Sequence, residues 1–409
     1  MMKIFNIYRR VVLLPCTLTI LLLLFSGTRQ AQADGGAPNL AYVAGGSNGI
    51  SVVDIGQQKV TSTIALGGDP HTIYLSLDGR FLYITQPTLG RVTMLAAKTG
   101  QTICSANVPG KPSLLAYDPG TNILYTAGNG AANVTALDPT NCAIKQTIKT
   151  NGPVYGLAVA VVGAGPSGGD ENQLWVTDST SLYVYKHTGL LANIPIPGGP
   201  RYISIPSGFT AYITTQQGSI YAVNLATRKL SPPLFSGGPF GPMDYNAFTG
   251  EVYVPDMQNK QVDVLSPVNP GTSTLPHEPS YTIRLGVAPQ SIAITSDGQL
   301  GFIALAGGQV AMLDIPGKQI INTILVGGNP RFIITGLYPP LVGTTPQGAS
   351  VWGTVINVAA YVLVIALLIV PIVIFGRYAR AGAARKKEEP EIPSTYKEEP
   401  EIPPIYEDV

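Results

Sequence analysis

Residues 40–44 read LAYVA, residues 50–54 read ISVVD, and residues 63–70 read TIALGGDP. Together they form a unit: a short apolar strand centred on an aromatic residue, a second strand that ends in aspartate, and a third strand that ends in a Gly-rich turn closed by proline. Short apolar runs bounded by glycine and proline are typical of β-strands joined by turns. The unit therefore predicts a strand-rich structure, and its return along the chain predicts a repeat.

Seven copies of the unit can be recognised. Its aromatic position recurs at intervals of 37 to 50 residues, at Tyr42, Tyr83, Tyr125, Trp175, Tyr212, Tyr253 and Phe302. Its proline position keeps step, at Pro70, Pro112, Pro153, Pro200, Pro239, Pro289 and Pro330. Repeats of about 40 to 50 residues with several short strands each predict the blades of a β-propeller. The predicted fold is all-β, a seven-bladed propeller with four-stranded blades.

The phase of the repeat predicts how the ring closes. The chain begins with three outer strands in residues 40–66 and ends with a lone inner strand in residues 331–337. Left apart, these pieces would expose unpaired strand edges. We therefore expect them to join in one mixed N- and C-terminal blade. The aromatic markers are expected to pack within and between blades, because large apolar side chains belong there.

The unit resembles the repeat of the YVTN family of β-propellers, which occurs in bacterial and archaeal exported and surface-layer proteins. The first and last copies carry the resemblance most closely, the last reading VAMLD at 310–314 and ILVGGNP at 324–330. It departs where Lys186 or Asn224 replaces the closing aspartate. The resemblance implies a propeller over residues 40–337 and a surface location, and it assigns no reaction.

The N-terminus has the organisation of an export signal. Lys3, Arg9 and Arg10 precede an apolar run at 11–25, and Ala31-Gln32-Ala33 follows it. A charged region, a short apolar region and a small-residue site predict a signal peptide at 1–33, cleaved after Ala33. An uncleaved signal anchor is the alternative.

A second apolar segment near the C-terminus predicts a membrane anchor. Residues 351–375 contain no charged side chain, and Arg377, Arg380, Arg385, Lys386 and Lys387 follow them. This length can cross a bilayer as a helix, and flanking basic residues mark its cytoplasmic side. We predict a single-pass cell-membrane protein with a propeller outside at 34–337, a linker at 338–350, a transmembrane helix at 351–375 and a cytoplasmic tail at 376–409.

The predicted tail, basic and then acidic and Pro-rich, contains a duplication. Residues 387–396 read KEEPEIPSTY and residues 397–406 read KEEPEIPPIY, identical at eight of ten positions. Such a composition cannot bury a core and predicts disorder. Two copies that end in Tyr396 and Tyr406 form a candidate tandem docking motif for a cytoplasmic partner. The alternative is a solvating tail whose duplication is neutral.

Cys104 and Cys142 would face an oxidising compartment after export. They fall in what we interpret as corresponding outer strands of neighbouring blades. A disulfide between them and two separate thiols both remain open, because their offsets from the next proline differ and outer strands diverge.

The residues that follow each proline marker are the candidate binding site, since propellers usually bind ligands where the outer-to-inner turns converge on the central channel. Arginine presents a planar fork to carboxylates, and aromatic rings offer stacking surfaces. An anionic or aromatic ligand fits this composition, and the alternative is that these side chains only fill a narrow channel. The candidates are His71, Tyr155, Arg201, Tyr202, Gln290 and Arg331.

The sequence shows little that predicts catalysis. His71, His187 and His277 belong to different repeats, so we predict no metal site, and no catalytic nucleophile or phosphate-binding motif is recognisable. We predict no cofactor. A formal net charge of +1 gives no footprint for nucleic acid.

Three functions compete at this stage. The leading hypothesis is a membrane-anchored propeller that binds an extracellular protein or small ligand at the cell surface. The second is an enzyme at the channel mouth, either a lactonase-like hydrolase or a quinone-dependent oxidoreductase. The third is a structural component of a surface layer.

Overall fold

A computed structural model describes residues 39–161, 172–271 and 274–336, together with positions 374 and 377. The predicted signal peptide at 1–33 and the linker at 338–350 lie outside the described residues. So do the predicted helix at 351–375 apart from position 374, and the tail, including Tyr396 and Tyr406, apart from position 377. Within the described part, no helix has the length and apolar character needed to cross a membrane.

The described residues form 28 strands and one 3-10 turn. In chain order the strands are β1 (Leu40–Gly46), β2 (Gly49–Asp54), β3 (Lys59–Ala65), β4 (Ile73–Leu75), β5 (Phe81–Gln86), β6 (Arg91–Ala96), β7 (Thr102–Asn107), β8 (Leu114–Asp118), β9 (Ile123–Ala127), β10 (Asn133–Leu137), β11 (Ile144–Lys149), β12 (Gly156–Ala160), β13 (Gln173–Thr177), β14 (Ser181–Lys186), β15 (Gly189–Pro195), β16 (Pro200–Ser204), β17 (Thr210–Thr215), β18 (Ser219–Asn224), β19 (Phe235–Ser236), β20 (Asp244–Tyr245), β21 (Val252–Asp256), β22 (Gln261–Leu265), β23 (Tyr281–Arg284), β24 (Pro289–Ile294), β25 (Leu300–Leu305), β26 (Gln309–Asp314), β27 (Gln319–Leu325) and β28 (Phe332–Thr335). The 3-10 turn covers Pro87–Leu89.

These strands form seven antiparallel four-stranded sheets. Blade 1 has the order β28-β1-β2-β3, and blades 2 to 7 each use four consecutive strands, from β4–β7 through β24–β27. The predicted seven-bladed, four-stranded propeller is confirmed. The mixed first blade, with its innermost strand from the end of the propeller sequence, is confirmed as well.

Pairing of β28 with β1 closes the ring. Tyr42 lies opposite Ile334 and Val43 opposite Ile333 in an antiparallel register. The turns next to this pairing are tight, because Gly45 has a φ of +87° and a Cβ atom at this position would overlap the carbonyl oxygen of Asn329. A side chain at Gly45 would have to displace that backbone, so glycine is required at the closure.

The seven aromatic markers are buried packing residues, as predicted. Several also tie one blade to the next. The hydroxyl of Tyr42 donates to the carbonyl of Ala97 at 3.4 Å, and that of Tyr83 donates to Pro139 at 2.8 Å. The Tyr212 hydroxyl accepts from the backbone N–H of Val268 at 2.9 Å. Each partner lies in the following blade, so the repeat spacing positions a hydrogen bond between blades.

Side chains also form hydrogen bonds with backbone groups at the inner strands of neighbouring blades. The hydroxyl of Thr72 donates to the carbonyl of Ser113 at 2.6 Å, and that of Thr335 donates to Ile294 at 3.2 Å. The carboxylate of Asp244 accepts from the Ile294 N–H at 2.7 Å. The bond from Thr72 joins the starts of two neighbouring inner strands and that from Thr335 joins the ends of two others, so the inner strands run in one direction around the ring.

The common strand direction gives the propeller two distinct faces. We call the face that carries the seven proline turns the mouth face; it also carries the connections between the second and third strands of each blade. The opposite face carries the hairpins that join each inner strand to its aromatic strand, and we call it the hairpin face. Alternating antiparallel strands place these two sets of connections at opposite ends.

A disulfide joins Cys104 to Cys142, with their Cα atoms 5.8 Å apart. Our placement of Cys104 in an outer strand is confirmed, and that of Cys142 was wrong. Cys104 lies in β7, but Cys142 precedes β11 in the turn between β10 and β11, with a φ of +60°. The turn reaches towards the neighbouring blade, so the divergence of the outer strands does not separate the two sulfurs.

The bond from Tyr83 to Pro139 gives a stability prediction. Tyr83→Phe should lower the free energy of unfolding by about 1 kcal/mol, because the buried carbonyl loses its donor. Tyr83→Ala should cost about 3–5 kcal/mol, since it also leaves a cavity between blades. Urea unfolding measures both values. Tyr281→Phe, at a half-exposed outer-strand position, is the control, and an equal effect at both positions would contradict the assignment.

Candidate functional site

The mouth face brings Arg331, Asp69 and His71 together at the junction of blades 1 and 2. Arg331 follows the proline of blade 1, and Asp69 and His71 flank the proline of blade 2. The Arg331 Nη1 atom lies 3.0 Å from Asp69 Oδ2, and both side chains are partly exposed. We predicted Arg331 and His71 as site residues, and the structure adds Asp69 as the carboxylate between them.

The His71 imidazole is held in its neutral form. Burial lowers its pKa, the positive charge of Arg331 lowers it further, and the carboxylate of Asp69 works against both. Its Nδ1 atom lies 3.2 Å from the Thr72 hydroxyl. At neutral pH this histidine is therefore a hydrogen-bonding group that can accept a proton.

This cluster borders an open groove of about 870 Å³ on the mouth face. Its walls consist mostly of turn backbone from blade 1, including residues 45–49 and 65–67, with the hydroxyls of Ser47 and Thr63. Asp69 and Arg331 are the charged residues that line it. A groove with exposed peptide groups and one ion pair suits a polar ligand, because peptide groups supply donors and acceptors and the guanidinium supplies a fork for carboxylates.

A second cluster lies across blades 4 and 5. The guanidinium carbon of Arg201 lies 3.9 Å from the centroid of the Tyr155 ring, which is the geometry of a cation–π contact. The Arg201 Nη2 atom donates to Gln216 Oε1 at 2.7 Å. Its backbone carbonyl accepts from the Thr177 hydroxyl at 2.7 Å, which fixes the start of β16 against blade 4. Tyr202 is half-buried beside this cluster, and burial raises the pKa of its hydroxyl.

The six predicted residues therefore do not form one constellation. His71 and Arg331 lie together, Tyr155, Arg201 and Tyr202 lie together, and blade 3 stands between the two groups on that side of the ring. Gln290 lies half-buried at the start of β24 in blade 7, and its backbone carbonyl packs closely on Gly241. All six predicted residues lie on the mouth face, because each one follows a proline turn.

Two acidic residues that we did not single out lie buried in blade 6. Asp256 ends β21, and its carboxylate accepts from the N–H of Gly238 at 3.1 Å and that of Asn259 at 2.9 Å. Asp263, on β22, accepts from Thr282 at 3.0 Å and from Gln261 at 2.9 Å. No group of three or more histidine, cysteine or acidic side chains suited to a metal ion occurs among the described residues.

The Asp263 carboxyl has an altered acidity. Burial is the largest cause that raises its pKa, and the nearby Asp256 adds to the rise. The hydrogen bonds from Thr282 and Gln261 act in the opposite direction, and the resulting pKa is about 6. In the sequence, one partial signal marks this position: three of the six other repeats carry Ser51, Thr93 or Thr135 at the matching position, and the remaining three carry Tyr183, Tyr221 or Ala311.

Comparison with known proteins supports the propeller fold. No family model matches the chain, and no curated protein matches it. Solved structures do match. The periplasmic gluconolactonase of Pseudomonas aeruginosa is 18% identical, with 74% of this chain and 99% of that chain covered and a TM-score of 0.60. A functionally unknown protein from Desulfotomaculum acetoxidans is 14% identical, with the same coverages and TM-score. Apo AztD from Citrobacter koseri is 12% identical, with 73% and 98% covered and a TM-score of 0.52.

Identities this low establish the fold alone. The chain shares a β-propeller architecture with a lactonase and with proteins of other kinds. The YVTN repeat remains a resemblance of sequence pattern.

The acidity of Asp263 predicts a pH dependence of stability. Between roughly pH 4 and pH 6 the folded chain keeps a proton here that the unfolded chain has released, so the free energy of unfolding falls as the pH rises through this window. Asp263→Asn should remove the part of that fall that Asp263 causes and stabilise the protein relative to the wild type increasingly from pH 4 to pH 7; the buried Asp244, whose pKa burial also raises to about 6, keeps its own part. Thermal unfolding across this range measures the effect.

Asp138→Asn is the matched control with the opposite sign. Hydrogen bonds from Thr140 and then the pairing with Lys145 hold the pKa of Asp138 below its usual value. Its carboxylate stabilises the folded wild type above the unfolded pKa of aspartate, so the variant should become less stable relative to the wild type as the pH rises. Parallel pH profiles for the two variants would contradict both assignments.

Proposed function

We propose that this chain is a membrane-anchored binding protein whose propeller lies outside the cell and whose mouth face takes an extracellular ligand. The ligand is a small anion or an acidic segment of a protein partner. One observation carries the proposal: the half-exposed Arg331–Asp69 pair opens on a groove of about 870 Å³ lined by turn backbone. A ligand carboxylate can take the place of Asp69 on the Arg331 guanidinium, since the two are chemically equivalent there.

The anchor and the topology rest on the sequence. An export signal at 1–33 and an uncharged segment at 351–375 followed by basic residues support one orientation, with the propeller outside and the tail inside. In that arrangement the Tyr396 and Tyr406 repeats face the cytoplasm, where they are available to a cytoplasmic partner. A binding propeller outside and a docking tail inside would connect the two sides of the membrane.

The binding role can be tested by site-specific crosslinking in intact cells. A photoreactive amino acid at Asn48, an exposed position in the groove, should capture a ligand or partner that mass spectrometry identifies. Arg331→Gln in the same chain should reduce the captured product severalfold, because the anion loses the guanidinium group that binds it. The control places the photoreactive residue at Ile144, an exposed outer-strand position. Equal capture at both positions, or capture unaffected by Arg331→Gln, would contradict the proposal.

The competing function is a lactonase-type hydrolase at the same cluster. The neutral His71 favours it, because an imidazole beside a guanidinium can act as a general base for water while the arginine stabilises the developing oxyanion. The purified protein should then hydrolyse members of a lactone panel, and His71→Gln should abolish turnover while the unfolding midpoint stays unchanged. Absence of turnover by the wild-type protein removes this candidate.

A further inference from the structure

Three hairpins on the hairpin face end in exposed apolar side chains. Phe209 is 74% exposed, Phe248 is 75% exposed and Leu77 is 65% exposed. Each lies in the connection from an inner strand to an aromatic strand, namely β16–β17, β20–β21 and β4–β5. All three therefore belong to one end of the propeller.

The two phenylalanines are unusual within this protein. The other described phenylalanines are buried or half-buried, as Phe240 and Phe302 illustrate. Phe209 and Phe248 belong to the neighbouring blades 5 and 6. Two exposed aromatic side chains on one face of a propeller are suited to contact an apolar environment.

Hydrogen bonds hold the backbone of these two hairpins in place. The N–H of Phe248 donates to Asn246 Oδ1 at 2.9 Å, and the carbonyl of Phe209 accepts from the Leu225 N–H at 2.8 Å. The rings are thus presented by ordered turns. An ordered apolar tip binds at a smaller loss of conformational entropy than a flexible one.

Six of the charged residues on the same face form three ion pairs. Ion pairs join Arg80 to Asp78 at 2.6 Å, Lys145 to Asp138 at 3.2 Å and Lys318 to Glu251 at 3.0 Å. All of these residues lie in the hairpins or at the strand ends next to them. A paired charge costs less to bring towards a region of low dielectric constant than an isolated one.

Both ends of the propeller sequence emerge on the hairpin face. Strand β1 starts there after Asn39, and β28 ends there, where the N–H of Gly336 donates to the Leu40 carbonyl at 2.7 Å. The uncharged segment at 351–375 begins 15 positions after Gly336. The intervening chain spans no more than roughly 50 Å even when fully extended. A membrane anchored through that segment would lie within this distance of the point where the chain leaves the hairpin face.

We infer that the hairpin face docks on the surface of the phospholipid bilayer, with Phe209 and Phe248 inserted at the depth of the lipid headgroups and Leu77 against the same surface. Aromatic and large apolar side chains favour this interface. The inference rests on the proposed membrane anchor and extends it. It directs the mouth face, with Arg331 and Arg201, away from the membrane and towards extracellular ligands.

The test uses the full chain in phosphatidylcholine–phosphatidylglycerol nanodiscs. Single cysteines replace Phe209, Phe248 or, as the control, Leu89, in a Cys16→Ser background in which Cys104 and Cys142 remain joined. Leu89 is half-exposed on the mouth face, in the 3-10 turn. Each cysteine carries an environment-sensitive fluorophore, and some nanodiscs contain spin-labelled lipid that quenches it.

The expected result is a blue-shifted emission that spin-labelled lipid quenches at positions 209 and 248, with neither effect at position 89. Phe209→Ser in the position-248 chain should reduce the quenching there. A blue shift without quenching means that a second copy or another protein covers the face, and equal aqueous emission at all three positions means that nothing does. Either outcome overturns the inference.

The anchor itself is tested separately. Extraction at alkaline pH and flotation with the lipid report whether the chain is inserted. A chain that floats but shows aqueous emission at 209 and 248 refutes the docking and leaves the anchor intact. A chain that does not float refutes the anchor, and the docking with it.

Discussion

Closure of the ring through β28 and β1 is the constraint on which the rest of the structure depends. Each blade contacts only its neighbours, so an open array would leave the inner edges of its first and last blades unpaired. Backbone pairing of Ile333 and Ile334 with the first aromatic strand closes that gap across nearly 300 residues of sequence. Both candidate arginine clusters lie between consecutive blades, so their geometry depends on the same closure.

Closure through an inner strand also determines where the chain leaves the propeller. Because β28 starts on the mouth face, as every inner strand does, it delivers the chain to the hairpin face at Gly336. Strand β1 runs antiparallel to β28, so the chain enters the propeller at Asn39 on that same face. Both ends of the described propeller, Asn39 and Gly336, therefore lie away from the mouth face, and the described residues leave the groove beside Arg331 open.

Much of the fold could be predicted from the sequence, because each repeat carries local signals of strand and turn. Tyr42 and Pro70 mark strand and turn positions that the structure confirms. The pairing of Arg331 with Asp69 could not be predicted, since it joins residues 262 positions apart and depends on the angle between blades. The stacking of Arg201 on Tyr155 depends on that angle in the same way.

Other features escaped prediction for reasons of chemistry. Phe209 and Phe248 look like core residues by type, and only their position at hairpin tips exposes them. The placement of Cys142 in a turn depends on a positive φ that sequence spacing does not reveal. Asp263 occupies a third-strand position where three other repeats have Ser or Thr, so its burial follows from the blade and its raised pKa from the burial.

The central functional claim is that the mouth face meets the extracellular medium while the tail stays inside. Labelling of intact cells with a membrane-impermeant maleimide tests it most directly, with a single cysteine at Leu89 or at Tyr406 in the Cys16→Ser background. We predict that the cysteine at position 89 is labelled in intact cells and that the one at position 406 is labelled only after lysis. Labelling of position 406 in intact cells, or protection of position 89 until lysis, would contradict the claim.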